Sequence, residues 1–271
     1  MSEPSALPLL SPSIDPGPSF AELLRQVSPH QLPSMVTGST AGLDIPHGTT
    51  VVAVRYVDGV VMAGDRRATA GYSIASRRID KVFAADDFSG VAIAGAAGPA
   101  IEMVKLFQTQ LEHYEKVQGE VLSLEGKANQ LGMMVRGNLP LAMQGLAVVP
   151  LFAGYDQQRE IGRVFSYDVT GGRYEEHDYQ CQGSGSVHAR NWIKAGWSED
   201  MSLDDTVELA IRALFAAADE DAATGGPDLV RGIFPLVAAI DAEGFRAFDG
   251  ADVETRSRAL LDGRERGGAT Q

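Results

Sequence analysis

The order of the predicted strands and helices after residue 48 constrains the fold more than any other feature of this sequence. "TTVVAVRYV" and "VVMAGDRRA" flank Asp58-Gly59, a dipeptide typical of two-residue hairpin turns. "KVFAADD" and "SGVAIAGAAG" predict two more strands. Apolar residues spaced three and four apart then predict a helix from about residue 100 and a second over 122–138.

The second half of the chain has a second block of strands, a second pair of helices and a final hairpin. "LAVVPLFAGYD", "RVFSYDV" and "RYEEHDYQ" predict three strands, with a turn at Gly171-Gly172. Two helices follow near 185–196 and 203–221, and "FPLVAAIDAEGFRAFD" predicts a closing hairpin around Ala242-Glu243-Gly244, with a polar, loose tail from about residue 254. Such blocks are not the βαβ alternation of a parallel sheet, so we predict an α+β fold: a four-layer αββα sandwich of two antiparallel sheets flanked by helices.

The first 48 residues have a different character. Eight of the 13 prolines of the chain precede residue 49, and proline fixes φ and removes an amide donor. Only "SFAELLRQV" at 19–27 has the pattern of a short helix. Two interpretations remain open at this point: an irregular tail, or a pro-segment that docks and is later removed.

Composition restricts the partners that we expect. The net charge of −13 repels phosphate backbones and anionic lipids, so we expect neither nucleic acid nor membrane as a partner. Cys181 is the only cysteine, which excludes an internal disulfide and a cysteine-built metal site. The sequence has no apolar run long enough to span a membrane and no secretory signal pattern. We therefore expect a cytoplasmic protein, with no cofactor and no metal.

Thr49 stands where the leader meets the first strand. Cleavage of the Gly48–Thr49 bond would leave a hydroxyl and a free α-amine on adjacent carbons. The reference pKa of that amine is about 7.7–8.0, which suits a general base near neutral pH. Threonine activated by its own amine is a recognised nucleophile, and glycine before it permits a strained bond. The alternative is that the Thr49-Thr50 pair is only strand surface.

Two charged residues are predicted near Thr49. A turn at Asp58-Gly59 pairs Val52 with about Asp65, and Lys81 opens the next strand, so both reach the same end of the sheet. Their ion pair would fix the geometry, and the positive charge of the lysine would lower the pKa of the Thr49 amine toward neutrality. The alternative is a surface ion pair worth less than about 1 kcal/mol.

Three further segments have one functional and one structural interpretation each. "AGAAG" at 94–98 offers backbone N–H groups for an oxyanion hole, or only tight packing between strand and helix. "GSGS" at 183–186 supplies a serine to the site, or only a helix cap. Asp221 in "EDAATGG" belongs to the site, or only ends a helix.

Together, "TTVVAVRYVDGVVMAGDRRAT", "RRIDKVF", "VAIAGAAGPA", "GSGS" and "EDAATGG" resemble the β-subunit of the 20S proteasome in its actinobacterial form, over about residues 48–250. The proline-rich leader is also similar to the actinobacterial pro-segment. The resemblance implies the fold of an N-terminal-nucleophile (Ntn) hydrolase. It implies that residues 1–48 are removed on maturation and that residues 49–271 form the catalytic domain.

The resemblance also implies a role for each matching residue. Thr49 matches the processed nucleophile, with Asp65 and Lys81 beside it, and Gly95 matches the residue whose N–H faces the oxyanion. Ser184 and Asp221 match the pair that orients the threonine amine and a nearby water.

Thr224 stands where the family has a serine, and it keeps a hydroxyl. Thr69 and Ala97 match positions where substrate backbone pairs as an added strand. The first specificity pocket would be lined by apolar side chains, which favours cleavage after hydrophobic residues: Ala68, Ile79, Phe83, Ile93 and Ala97.

The activity that the resemblance implies is a threonine endopeptidase that degrades unfolded polypeptide inside a closed chamber. Heptameric β rings would stack between rings of α-subunits, which an ATP-dependent unfoldase would serve. Three alternatives remain: a self-processing amidase of small oligomeric state, a bacterial two-ring threonine peptidase with an ATPase partner, and a catalytically silent ring subunit. The two-ring peptidase has a mature chain shorter than the 223 residues after residue 48, and the presence of Thr49, Asp65 and Lys81 speaks against a silent subunit.

Overall fold

The computed structural model describes residues 48–268, with side chains described up to residue 263. Residues 1–47 of the predicted pro-segment, including the predicted helix at 19–27, lie outside the described residues. The strands of the described part are β1 (Thr50–Tyr56), β2 (Gly59–Gly64), β3 (Ala68–Ala70), β4 (Ser73–Ser76), β5 (Val82–Asp86), β6 (Ser89–Gly95), β7 (Val148–Asp156), β8 (Ile161–Tyr167), β9 (Arg173–Glu176), β10 (Tyr179–Gly183), β11 (Leu236–Asp241) and β12 (Gly244–Ala247). Its helices are α1 (Ala97–Gln118), α2 (Leu124–Gly137), α3 (Leu139–Ala142), α4 (Ser186–Gly196), α5 (Leu203–Glu220) and α6 (Gly250–Gly268).

The larger strands of the described residues form two antiparallel sheets. Sheet I has the order β10-β1-β2-β11-β12, and sheet II has the order β5-β6-β7-β8-β9. The short strands β3 and β4 pair only with each other. None of the helices in this part of the chain combines the length and apolar character needed to cross a membrane.

Alternate residues of each strand face different layers, as the side-chain period of two requires. Val51 of β1 and Ala92 of β6 lie in the core between the sheets. The adjacent residue Val52 faces the core that α4, α5 and α6 form with sheet I, and Val91 faces the core that α1 and α2 form with sheet II. This four-layer arrangement confirms the predicted αββα sandwich.

The first hairpin forms, but its predicted register was wrong by two residues. Tyr56 pairs with Gly59, so the turn residues are Val57 and Asp58 rather than Asp58 and Gly59. A Cβ atom on Gly59 would lie 2.2 Å from the backbone oxygen of Ile240 on β11. This glycine therefore serves close packing between strands and not the turn, a requirement that the dipeptide pattern does not reveal.

"RYEEHDYQ" is two strands in different sheets rather than the single predicted strand. Glu176 ends β9 in sheet II, and Tyr179 begins β10 in sheet I. Arg55 of β1 stabilises the two residues at which the chain passes from sheet II to sheet I. Its backbone N–H donates to Asp178 O at 2.9 Å, and its guanidinium donates to His177 O at 2.6 Å. Periodicity could not show this, since a strand pattern does not specify its pairing partner.

The prediction of a loose tail from about residue 254 was also wrong, because helix α6 spans Gly250–Gly268. Val253 is 1% exposed and Ser257 is fully buried, and Leu260 packs against the same core of α4, α5 and sheet I. The ion pair between Arg258 and Glu254 lies one helical turn apart. The sequence here has only a narrow apolar stripe among charged residues, a composition that is also typical of a polar tail.

Candidate active site

The ends of four strands meet at one edge of the sandwich. Thr49 lies immediately before β1, and Asp65 lies immediately after β2, both in sheet I. Lys81 lies immediately before β5, and Gly95 ends β6, both in sheet II. The two antiparallel sheets thus bring together four of the predicted catalytic positions, which are up to 46 residues apart in the sequence.

Asp65 and Lys81 form a buried ion pair, not a surface one. The Lys81 Nζ–Asp65 Oδ1 distance is 2.7 Å, and the side chains are 3% and 0% exposed. Asp65 Oδ1 also accepts from the Thr50 N–H, and Asp65 Oδ2 accepts from the N–H groups of Arg67 and Gly225, each at 2.8 Å. Burial lowers the pKa of Lys81 below its ordinary value, and the Asp65 carboxylate offsets only part of that change.

The carbonyl oxygen of Gly48 accepts two hydrogen bonds at the predicted cleavage site. The hydroxyl of Thr49 donates to it at 2.7 Å, and the ammonium of Lys81 donates at 3.0 Å. Besides its bonds to Asp65 and to Gly48 O, the Lys81 ammonium donates a third hydrogen bond, to the backbone oxygen of Arg67. The hydroxyl of the candidate nucleophile therefore lies beside a carbonyl group that a buried cation polarises.

A second polar cluster lies on the other side of Thr49. The hydroxyl of Ser184 lies 3.4 Å from the Thr49 N–H and 2.5 Å from Asp221 Oδ2. Thr224 donates to the same carboxylate oxygen at 2.6 Å. Burial raises the pKa of Asp221, but the hydrogen bonds from Ser184 and Thr224 outweigh it, so the pKa lies below its ordinary value. This carboxylate is ionised at neutral pH.

The two structural alternatives describe part of what these segments do. The "GSGS" segment supplies the N-cap of helix α4 at Gly185, without a side-chain hydrogen bond, while the Ser184 hydroxyl lies against Asp221 instead. Asp221 does end helix α5, but its carboxylate is held by side chains from two separate segments.

Gly95 allows a close backbone approach where β6 ends and α1 begins. Its φ is 108°, and a Cβ atom would lie 2.1 Å from Ala147 O. Residues other than glycine rarely adopt this conformation, and here a side chain would also collide with backbone. The "AGAAG" segment therefore brings bare backbone to the pocket that Thr49 lines.

A small pocket opens beside Thr49 and Lys81. Four of the predicted substrate-binding residues line it: Ala68, Ile79, Ile93 and Ala97. Phe83 is not among the lining residues and packs against the core between α1, α2 and sheet II. Thr69 lies on β3, where its hydroxyl would be 2.7 Å from a Cβ atom on Gly48. The lining is small and apolar, which suits a hydrophobic side chain.

The sequence interpretation missed Thr50. Its hydroxyl is fully buried and lies 2.6 Å from the hydroxyl of Thr224. The only signal was the adjacent pair Thr49-Thr50, which by itself resembles ordinary strand surface. Gly183 was also missed: its φ is 103°, and a Cβ atom there would lie 2.1 Å from Thr49 O.

The αββα sandwich, with these strand ends meeting at one edge, defines the class of the protein as the Ntn-hydrolase fold. The family described as "Proteasome subunit" matches residues 45–230. The chain therefore belongs to the proteasome subunit family.

Three relatives are each named proteasome subunit beta. The protein from Acidimicrobium ferrooxidans is 60% identical over 249 residues, which is 92% of this chain and 91% of the relative. The protein from Streptomyces griseus is 54% identical over 91% of this chain and 88% of its own length. The protein from Acidothermus cellulolyticus is 57% identical over 84% of this chain and 81% of its own length. The predicted resemblance to actinobacterial β-subunits is confirmed.

Proposed function

We propose that this chain is the threonine endopeptidase subunit of a proteasome core particle and that Thr49 is its nucleophile. The observation that carries the proposal is the 2.7 Å hydrogen bond from the Thr49 hydroxyl to the carbonyl oxygen of Gly48, beside the buried Lys81–Asp65 pair. A silent ring subunit has no need of a buried charge pair at this position, because such a pair costs desolvation energy.

Maturation begins when Thr49 Oγ1 attacks the carbonyl carbon of Gly48. The carbon–nitrogen bond breaks, the hydroxyl proton passes to the departing nitrogen, and an ester joins Gly48 to the Thr49 side chain. Water then hydrolyses the ester, which releases residues 1–48 as the pro-segment and leaves the Thr49 amine free. Lys81 stabilises the negative charge that develops on the Gly48 oxygen.

Peptide hydrolysis uses the same atoms. The Thr49 amine accepts the hydroxyl proton while Oγ1 attacks the substrate carbonyl, and the leaving amine takes that proton away. Water cleaves the resulting ester and restores the hydroxyl. The Gly95 N–H stabilises both oxyanions, and Ser184 and Asp221 orient the amine. The small apolar pocket accepts a hydrophobic residue before the cleaved bond.

The proposed assembly follows from the family. Heptameric rings of this chain stack between rings of α-subunits in the cytoplasm, and an ATP-dependent unfoldase delivers unfolded polypeptide to the enclosed sites. Removal of the pro-segment is coupled to this assembly, so the free subunit is inactive.

Intact mass and peptidase assays of the assembled particle test the proposal. We expect the unaltered chain to begin at Thr49 and to hydrolyse peptides. The Thr49→Ala chain should keep residues 1–48 and lose peptidase activity. Thr255→Ala, which changes an exposed threonine of α6, is the matched control and should behave as the unaltered chain. A full-length chain in active particles, or activity in Thr49→Ala, would refute the proposal, and a small oligomer by native mass would favour the amidase.

A further inference from the structure

The side chain of Thr50 lies behind the candidate site, in a position that water does not reach. Thr50 is fully buried, and its Oγ1 is 2.6 Å from Thr224 Oγ1. The same oxygen is 3.1 Å from the backbone N–H of Gly185. Thr50 therefore takes part in the polar cluster although it is one residue removed from the nucleophile.

The directions of these hydrogen bonds follow from counting protons. The ionised carboxylate of Asp221 can only accept, so Thr224 must donate its single hydroxyl proton to Asp221 Oδ2. In the bond between the two threonines, the donor is then Thr50. The oxygen of Thr50 remains free to accept from the Gly185 N–H. The result is one directed chain of donors from Gly185 through Thr50 and Thr224 to Asp221.

This chain of hydrogen bonds has little freedom to rearrange. A Cβ atom on Gly185 would lie 2.4 Å from Thr50 Oγ1 and 2.7 Å from Thr224 Oγ1. The backbone of Gly185 thus packs directly against both hydroxyls. Threonine is also stiff at χ1, which limits the positions that each hydroxyl oxygen can take. Thr50 and Thr224 are both fully buried, and hydrogen bonds between buried hydroxyls strengthen one another.

Thr50 also connects the two halves of the site. Its backbone N–H donates to Asp65 Oδ1 at 2.8 Å, which belongs to the Lys81 ion pair. Its side chain acts on the Asp221 carboxylate through Thr224. One residue therefore sets the position of both clusters relative to Thr49.

We infer that Thr50 is a positioning residue for the reaction at Thr49. Its hydroxyl holds Thr224, and thereby holds the Asp221 carboxylate and Ser184 in the orientation that serves the Thr49 amine. Thr50 does not touch the reacting atoms. This inference rests on the proposed function.

The test uses assembled particles and peptidase rates per mole of chain that begins at Thr49. Thr50→Ala should lower kcat about tenfold and leave KM within twofold, because the substrate pocket is unchanged. Thr50→Ser restores the hydroxyl and should return kcat to within threefold of the unaltered particle. Thr206→Ala is the matched control, since Thr206 is also fully buried and its hydroxyl donates to Ser202 O at the far end of α5. Its kcat should not change.

A double-mutant cycle separates positioning from general loosening of the fold. Because Thr50 acts through Thr224, the double variant Thr50→Ala/Thr224→Ala should lose no more activity than the more damaged single variant. The inference would be overturned if the kcat losses of the two single variants multiplied in the double variant, or if Thr206→Ala lost as much activity as Thr50→Ala. Unchanged kcat in Thr50→Ala would overturn it as well.

If Thr50→Ala fails to assemble, Thr50→Val replaces it, because valine lacks the hydroxyl donor but fills the space of the threonine side chain. The outcomes that support or overturn the inference are then the same as for Thr50→Ala. The failure of the inference is distinct from that of the proposed function. Activity that survives Thr49→Ala refutes the function itself, whereas inactive Thr49→Ala with fully active Thr50→Ala refutes only the role of Thr50.

Discussion

The Asp65 carboxylate accepts four hydrogen bonds in a part of the protein that water does not reach. Three donors are the backbone N–H groups of Thr50, Arg67 and Gly225, and the fourth is the Lys81 ammonium. Lys81, by contrast, contributes one charge and three donors, two of which go to backbone oxygens. Removal of Asp65 therefore leaves more buried polar groups without a hydrogen-bond partner than removal of Lys81 does.

At this scale we predict that Asp65→Ala destabilises the fold more than Lys81→Met. Loss of Asp65 leaves a buried ammonium and three unpaired N–H groups, at a cost of about 5 kcal/mol. Loss of Lys81 leaves a carboxylate that three N–H groups still satisfy, at a cost of about 3 kcal/mol. Thermal unfolding of both variants in a Thr49→Ala background, where all chains carry the same N-terminus, measures the difference. Equal destabilisation would show that Asp65 matters only as the partner of Lys81.

At the scale of elements, the strands and helices were predicted better than their partners. Gly59 shows why, since "DG" favours a turn locally while the structure needs a glycine against the Ile240 oxygen. Helix α6 shows the reverse: its charged sequence hides a stripe that becomes apolar surface only when α5 and sheet I lie beneath it. Local pattern fixes the type of element, and tertiary contacts decide its register and its extent.

Two glycine-to-alanine changes distinguish these cases. Gly59→Ala should destabilise the protein by about 2–3 kcal/mol, because the added methyl group collides with β11. Gly263→Ala is the matched control: among the described residues, nothing outside its own stretch of helix lies within 4 Å of its Cβ position on α6, and alanine should stabilise the helix by about 0.5–1 kcal/mol. Denaturant midpoints should be lower than that of the unaltered chain for Gly59→Ala and higher for Gly263→Ala. A neutral Gly59→Ala would mean that β11 accommodates the added methyl group and that strand packing does not require a glycine here.

At the scale of the whole molecule, the candidate site depends on how the two sheets pack. Thr49 and Asp65 belong to strand ends of sheet I, and Lys81 and Gly95 belong to sheet II. The core between the sheets contains small residues such as Ala92, which is fully buried. A change in the spacing of the sheets therefore moves the nucleophile relative to the lysine.

We predict that Ala92→Leu lowers kcat/KM about tenfold, while the fold loses about 1–3 kcal/mol from overpacking. Ala128→Leu is the matched control, because Ala128 is equally buried but lies between α2 and sheet II. It should cost similar stability and leave kcat/KM within twofold. Peptidase assays on processed particles compare the two. An equal loss of activity in both variants would show that the rate follows stability and not the spacing of the sheets.

The sequence by itself determined the succession of strand blocks and helix pairs up to the closing hairpin, the αββα class and the residues that can react. These properties are local, since periodicity, proline content and side-chain chemistry are all present in short segments. Tertiary structure alone decided that Asp65 and Lys81 are buried together, that β9 and β10 belong to different sheets, and that the hydroxyl of Thr50 reaches Thr224. Burial and pairing depend on which distant segments meet, and no short segment carries that information.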